Sequence, residues 1–311
     1  MANNLIAQHA EAARSGVDTF MPAFSNKQNR YYKMFKFQNI NETEQFHRMY
    51  QEGDMPLAGV VNEAQNIVPV NFWTGNNKDY YWVKYGLGWK TSDEALTTDQ
   101  YGVTKRASAK MAKAMEDTKD STAAGLFNNC TSTAGAYVGP DGVAMISTAH
   151  TYNGGTWSNR GVTSSNTDAD LSVVTLEQAI QAARYNPVSR EGTTSAIMSQ
   201  WNLFVHPDNE GLARRLVYTM QGRPTTNDND TNEYITGAIA GVYANPWFTD
   251  ADAWFLVSAN AADNPLRQIT HGGAKTKVKE YAENDMWAFF RTEKWLFHYF
   301  DARGIWGTVG G

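Results

Sequence analysis

Residues 67–89 hold two strand-like runs, 67–74 (IVPVNFWT) and 80–89 (YYWVKYGLGW), on either side of Gly75, Asn76, Asn77 and Lys78. Gly and Asn tolerate positive φ, so this tetrad predicts a hairpin turn. Both runs are aromatic on both faces, and a two-stranded hairpin buries neither face by itself. Such a hairpin folds only against the body of its own chain or against another copy. The composition repeats the theme, with 10 Trp, 15 Tyr and 14 Phe in 311 residues. One core does not need that many large rings, and Trp and Tyr are favoured at protein interfaces. The expectation is self-association, with Phe72, Trp73, Lys78, Tyr80, Tyr81 and Trp82 as inter-subunit contacts.

A long helix is expected next. Thr97 reads as its cap, with Gln100 completing a capping box. Tyr101, Thr104, Ser108, Met111, Met115, Thr118, Thr122 and Leu126 recur at steps of three and four, a thin helical stripe. Running to residue 128, the helix would span roughly 45 Å. Lys105, Arg106, Lys110 and Lys113 fall in its first half. They read as a solvated face, with a surface turned toward an anion as the sharper alternative.

Before the hairpin the chain reads as an arm. Asn3 or Asn4 caps a short helix through Arg14, and residues 41–50 (NETEQFHRMY) predict another. After the long helix comes an α/β body. Residues 176–185 form a helix after Thr175, and residues 201–205 (WNLFV) form a buried strand. Pro207 opens a helix to about residue 220, with Asp208 and Glu210 first and Arg214 and Arg215 later, the order the macrodipole favours. Residues 221–232 form a polar loop and 253–258 a second buried strand. Residues 276–307 read as long aromatic strands broken at 301–304.

Several function classes are disfavoured. The formal net charge is -5, from 27 basic and 32 acidic residues, with no basic tail. Neutralising phosphates requires clustered cations, so a protein that condenses nucleic acid by itself is not expected. Mean hydropathy is -0.51, and no window approaches the roughly 18 apolar residues of a membrane span. The first residues lack a secretory pattern. The single cysteine, Cys130, fits a reducing compartment and reads as a buried thiol. There is no P-loop, dinucleotide fingerprint, zinc motif or nucleophile elbow. His206, Pro207 and Asp208 read as a cap and turn rather than a metal site. His150, with Ser158 nearby, shows no legible orienting acid or oxyanion hole. No catalytic, cofactor or metal residue is assigned.

The order of arm, aromatic hairpin, long helix, α/β body and closing strands resembles the major capsid protein of tailed double-stranded DNA phages, the Hong Kong 97 fold. Tyr85, Gly86, Leu87, Gly88 and Trp89 with Ser92, Asp93, Glu94, Ala95 and Leu96 resemble the family's exit from its extended loop into the spine helix. Asp141 and Gly142, residues 147–150 (STAH) and residues 154–159 (GGTWSN) are similar to a segment of Mu-type head subunits. Residues 254–256 (WFL), Phe290 with Arg291, and residues 300–307 are similar to the closing strands.

The resemblance implies an α+β fold with four parts. They are an N-terminal arm (1–55), an extended β-hairpin loop (56–96), a peripheral domain with spine helix and long β-sheet (97–137 and 276–300), and an α/β axial domain (138–275 and 301–311). It implies a non-enzymatic major head protein whose pentamers and hexamers close an icosahedral shell in the virion, assembled in the bacterial host cytoplasm. Its partners would be further copies of itself, a separate scaffolding protein, portal and decoration proteins, and double-stranded DNA contacted non-specifically, with no membrane. A soluble hydrolase or carbohydrate-binding protein with exposed aromatics is the alternative class. A same-fold cellular nanocompartment shell is a variant of the first.

Overall fold

The computed structural model describes residues 31–40, 44–52, 55, 57–63, 66–67, 69, 74–98, 102–152, 154–162, 167–189, 192, 194, 199–219 and 233–310. In chain order its strands are β1 (Lys36–Ile40), β2 (His47–Glu52), β3 (Thr74–Tyr80), β4 (Val83–Ser92), β5 (His150–Tyr152), β6 (Gly155–Trp157), β7 (Trp201–Val205), β8 (Ile239–Ala244), β9 (Trp254–Ser258), β10 (Leu266–His271), β11 (Lys275–Tyr281), β12 (Met286–Tyr299) and β13 (Ile305–Thr308). The helices are α1 (Asp93–Thr97), α2 (Val103–Asn128), α3 (Val173–Tyr185), α4 (Pro207–Tyr218) and α5 (Glu233–Ala238). Residues 1–47, 81–123 and 268–297 make one compact unit; residues 48–80, 124–267 and 298–311 make the other.

The first unit rests on a five-stranded sheet in which β12 pairs with β11, β10 and β4. β12 is dense in aromatic residues and free of Gly and Pro, a composition that suits a long central strand. It runs antiparallel to β4 from Met286 opposite Ser92 to Trp295 opposite Val83. On its other side Ala288 lies opposite Lys279 of β11. Successive side chains alternate faces, so Trp287, Phe289, Glu293 and Trp295 share one face with Tyr85 and Trp89. There Trp89 stacks on Phe289 at 4.6 Å and Tyr85 on Trp295 at 4.2 Å.

Helix α2 packs on that aromatic face. The Trp295 indole donates to Thr122 Oγ1 at 3.0 Å, and Lys119 bridges Glu293 at 3.0 Å and Glu116 at 3.2 Å. Ser108, Met111, Met115 and Leu126 of the sequence stripe are buried. Fully burying each large apolar side chain contributes about 1.5–3 kcal/mol.

The helix start differs from the sequence expectation. Ser92 is the cap, its hydroxyl accepting from Ala95 N at 3.3 Å, and it opens the short α1. Thr97 ends α1, and α2 begins at Val103. Gln100 and Tyr101 lie outside the described residues, as do the expected helix after Asn3 or Asn4 and the polar loop 221–232.

Two further expectations fail in the second unit. Residues 75–78 form no turn; they lie within β3, which pairs with β2. For the same reason residues 47–50 are strand rather than helix. A fork of two bonds holds this ribbon, Arg48 Nε to Asp79 Oδ1 at 2.6 Å and Arg48 Nη2 to Asp79 Oδ2 at 2.8 Å. Cross-strand pairing of this kind overrides local propensity.

The main sheet of the second unit has the order β13-β9-β7-β8. β7 and β8 are parallel, joined through α4 and α5, while β9 runs antiparallel to both β7 and β13. Trp201, Trp254 and Trp306 are buried in its core beside Leu176 and Ile180 of α3. Two of these indoles are satisfied by carbonyls, Trp254 by Ala169 at 3.0 Å and Trp306 by Gly161 at 2.6 Å. Ser172 caps α3 in a capping box with Thr175, three residues earlier than the sequence placed the start. The helix opened by Pro207 and the strand at 201–205 fall where the sequence put them.

Candidate assembly surfaces

The six expected contact residues divide. Phe72 and Trp73 lie outside the described residues. Lys78 is partly buried, and its ammonium donates to Gly135 O at 2.6 Å and to Val138 O. Burial lowers its pKa below the ordinary lysine value, with Asp141 opposing the shift. Tyr80 is buried; its hydroxyl donates to Tyr299 O at 2.9 Å, and burial raises its pKa above the usual tyrosine range. Trp82 is half-buried and stacks on His271 at 4.0 Å. Tyr81 presents most of its ring to solvent, tilted against Phe46 at 6.0 Å. Of these aromatic residues, Tyr80 and Trp82 pair within their own units.

Residues outside the six expected contacts carry the larger exposed apolar surface. Leu57 is 94% and Val60 91% exposed, and Met55, Val61 and Ile67 are also exposed. None of these residues lies in a strand or helix. Leaving that much aliphatic area in water is unfavourable by about 25 cal/mol per Å². The signal was available in the run Met55, Leu57, Val60 and Val61, flanked by Glu63.

The sheet of the first unit adds a second surface, on the face opposite α2. The register places Lys84 and Lys90 of β4, Lys294 of β12, and Lys275, Lys277 and Lys279 of β11 on that face. Across these three strands the paired positions of that face hold no acidic residue. The Lys90 and Lys279 ammonium groups lie 5.2 and 4.6 Å from the Tyr281 ring centroid. Half-buried Phe290 stands between the lysines, and half-buried Met286 lies at the end of the same face. Gly88 is required there, since a Cβ would come within 2.6 Å of the Phe290 ring. An apolar centre inside a charged rim is the anatomy of a protein interface.

His150 and His206 resolve into structural roles. His150 does have an acid partner, invisible in the sequence: Asp141 Oδ2 lies 2.6 Å from its Nδ1. Its other nitrogen faces Asn159 Oδ1 at 3.1 Å, so no serine occupies the nucleophile position. Ser158 Oγ instead donates to Arg160 O at 3.2 Å. His206 caps α4, its Nδ1 accepting from Asp208 N at 3.2 Å. Cys130 is buried, and burial pushes its thiol up to about 11, which leaves it unreactive. Among the described residues no group of His, Cys, Asp or Glu is arranged to hold a metal ion.

A long helix across an aromatic β-sheet, together with a second α/β unit built on a mixed four-stranded sheet, is the architecture of Hong Kong 97-type capsid subunits. Solved structures share it. A virus-like particle from Pyrococcus furiosus is similar at a TM-score of 0.57 and 12% identity, over 96% of this chain and 98% of that one. The capsid of cyanophage P-SCSP1u is similar at 0.55 and 10% identity, over 92% and 89%. The capsid of a native GTA particle is similar at 0.54 and 10%, over 90% and 89%. No curated protein matches the chain in sequence. The profile of the phage capsid protein family matches residues 77–306. The chain belongs to that family, and it is a major capsid protein that forms a shell.

Proposed function

We propose that this subunit closes an icosahedral shell of pentamers and hexamers around double-stranded DNA. In this reading the α2-and-sheet unit is the peripheral domain and the unit centred on β7 is the axial domain. The observation that carries the reading is the exposed aliphatic segment with Leu57 and Val60, which its own chain leaves in water. In a shell, further copies cover it. The lysine-rimmed sheet face is a second surface at which copies meet, and Tyr81 contributes to the contact. Assembly takes place in the bacterial host cytoplasm, and the shell works with a portal and a packaging motor, because an acidic wall does not draw DNA in by charge. Light scattering on the purified protein tests the reading. Capsomers or particles of megadalton mass are expected; a stable monomer or dimer at assembly concentrations overturns it.

A further inference from the structure

We propose that the N-terminal half of α2 is the surface through which the shell wall touches the phosphates of packaged duplex DNA; this rests on the shell reading above. Arg106, Lys110 and Lys113 are exposed. At 100° per residue they fall within an arc of roughly 60°, opposite the stripe that buries Ser108, Met111 and Met115. None of the three forms an ion pair within the described chain. Ala109 lies between them on that side; exposed Val103 stands one turn before Arg106, and half-buried Asp117 one turn after Lys113 closes the stripe.

The charge order is the second observation. α2 has no acidic residue in its first turn and places its cations toward the positive end of its own dipole. In the same chain α4 does the reverse, with Asp208 and Glu210 first and Arg215 last. Stability alone favours the α4 arrangement. In α2 the positive helix end adds to the charge of Arg106 in the first turn, and Lys110 and Lys113 extend that positive potential by their own charges.

The anion is a polymer of phosphates rather than an acidic protein. From Arg106 to Lys113 the helix rises about 10 Å, along which a duplex presents about six charges. Three cations in a row neutralise half of them without reading sequence. The lysine-rimmed sheet face, by contrast, holds Phe290 at its centre and suits a protein. An acidic wall thus keeps one cationic stripe where packed DNA rests.

Fluorescence anisotropy of the full-length protein with a 30-base-pair duplex, titrated with salt, tests this. Binding is expected to weaken with salt. In Arg106→Gln/Lys110→Gln/Lys113→Gln the affinity at low salt should drop about tenfold or more, and the log–log salt slope should shrink by about 0.9 for each phosphate no longer neutralised. The charge-keeping Arg106→Lys/Lys113→Arg variant should bind like wild type, and Lys277→Gln/Lys279→Gln should leave binding unchanged. Unaltered binding by the triple variant overturns the proposal. So does a weakening that follows the sheet lysines, or a duplex ignored while polyglutamate is held through the α2 cations. Circular dichroism confirms that the triple variant is folded. Particles that form normally with unchanged DNA binding sink this inference alone; failure of the wild type to assemble sinks the shell reading.

Discussion

Asn159 ties more chain together than any catalytic reading of His150 would need. Its amide donates to Met145 O at 2.8 Å and Ile305 O at 3.2 Å, and its carbonyl accepts from Ser147 N at 2.8 Å. The side chain is fully buried, so every one of these groups depends on it. Asn159→Ala leaves at least two of them unpaired, at about 1–3 kcal/mol each. Urea denaturation should show a loss of about 2–5 kcal/mol, and a change below about 1 kcal/mol would contradict this account. Asp168 has a parallel duty at the C-terminal strand. Burial pushes its carboxyl up, but the Arg160 fork at 3.0 and 2.6 Å, Val309 N–H and the Thr308 hydroxyl outweigh that and hold it below the usual aspartate value. The folded state therefore prefers the ionised form. Its contribution is complete above the ordinary aspartate pKa of about 4 and disappears as pH falls through the lower folded value. The stability gap between wild type and Asp168→Asn should be open at neutral pH and narrow below about pH 4. A gap that does not change with pH would argue against it.

At the scale of elements, α2 is the piece along which the first unit's sheet is packed. Met111 is buried on its packed face, and Met111→Pro removes a backbone donor and adds a clash, costing about 3 kcal/mol or more. Soluble yield and assembly should both fall; wild-type behaviour would show that α2 is not one continuous rod. This helix was legible because Ser108, Met111, Met115 and Leu126 keep one period. Its start was not, because Ser92 and Thr97 are both side chains that can cap a helix; the chain uses Ser92 for a separate short turn. Strands such as 201–205 were legible as unbroken apolar runs. The β2–β3 ribbon was hidden because residues 44–50 have helical composition and residues 75–78 have turn composition. The backbone pairing of β2 with β3 decides the matter; its Arg48–Asp79 fork joins residues 31 positions apart, and no local window contains it.

For the whole molecule, the sequence made the class of protein visible through the order of its parts, while the surfaces emerged from pairing. Tyr80 and Lys78 look like interface residues in the sequence and are engaged inside the chain. Leu57 and Val60 look ordinary there and are almost fully exposed. Leu57→Ser/Val60→Ser should leave the subunit folded, since neither side chain is packed, and should raise the concentration needed for assembly by about tenfold or more, at about 1 kcal/mol or more per side chain. Sedimentation velocity reads both outcomes, and unchanged assembly would remove the segment from the interface. Electron microscopy of the purified wild-type protein tests the central claim most directly. Closed shells of uniform diameter, with subunits clustered in fives and sixes, are the predicted result. Small discrete oligomers, at every concentration and salt tried, would contradict it.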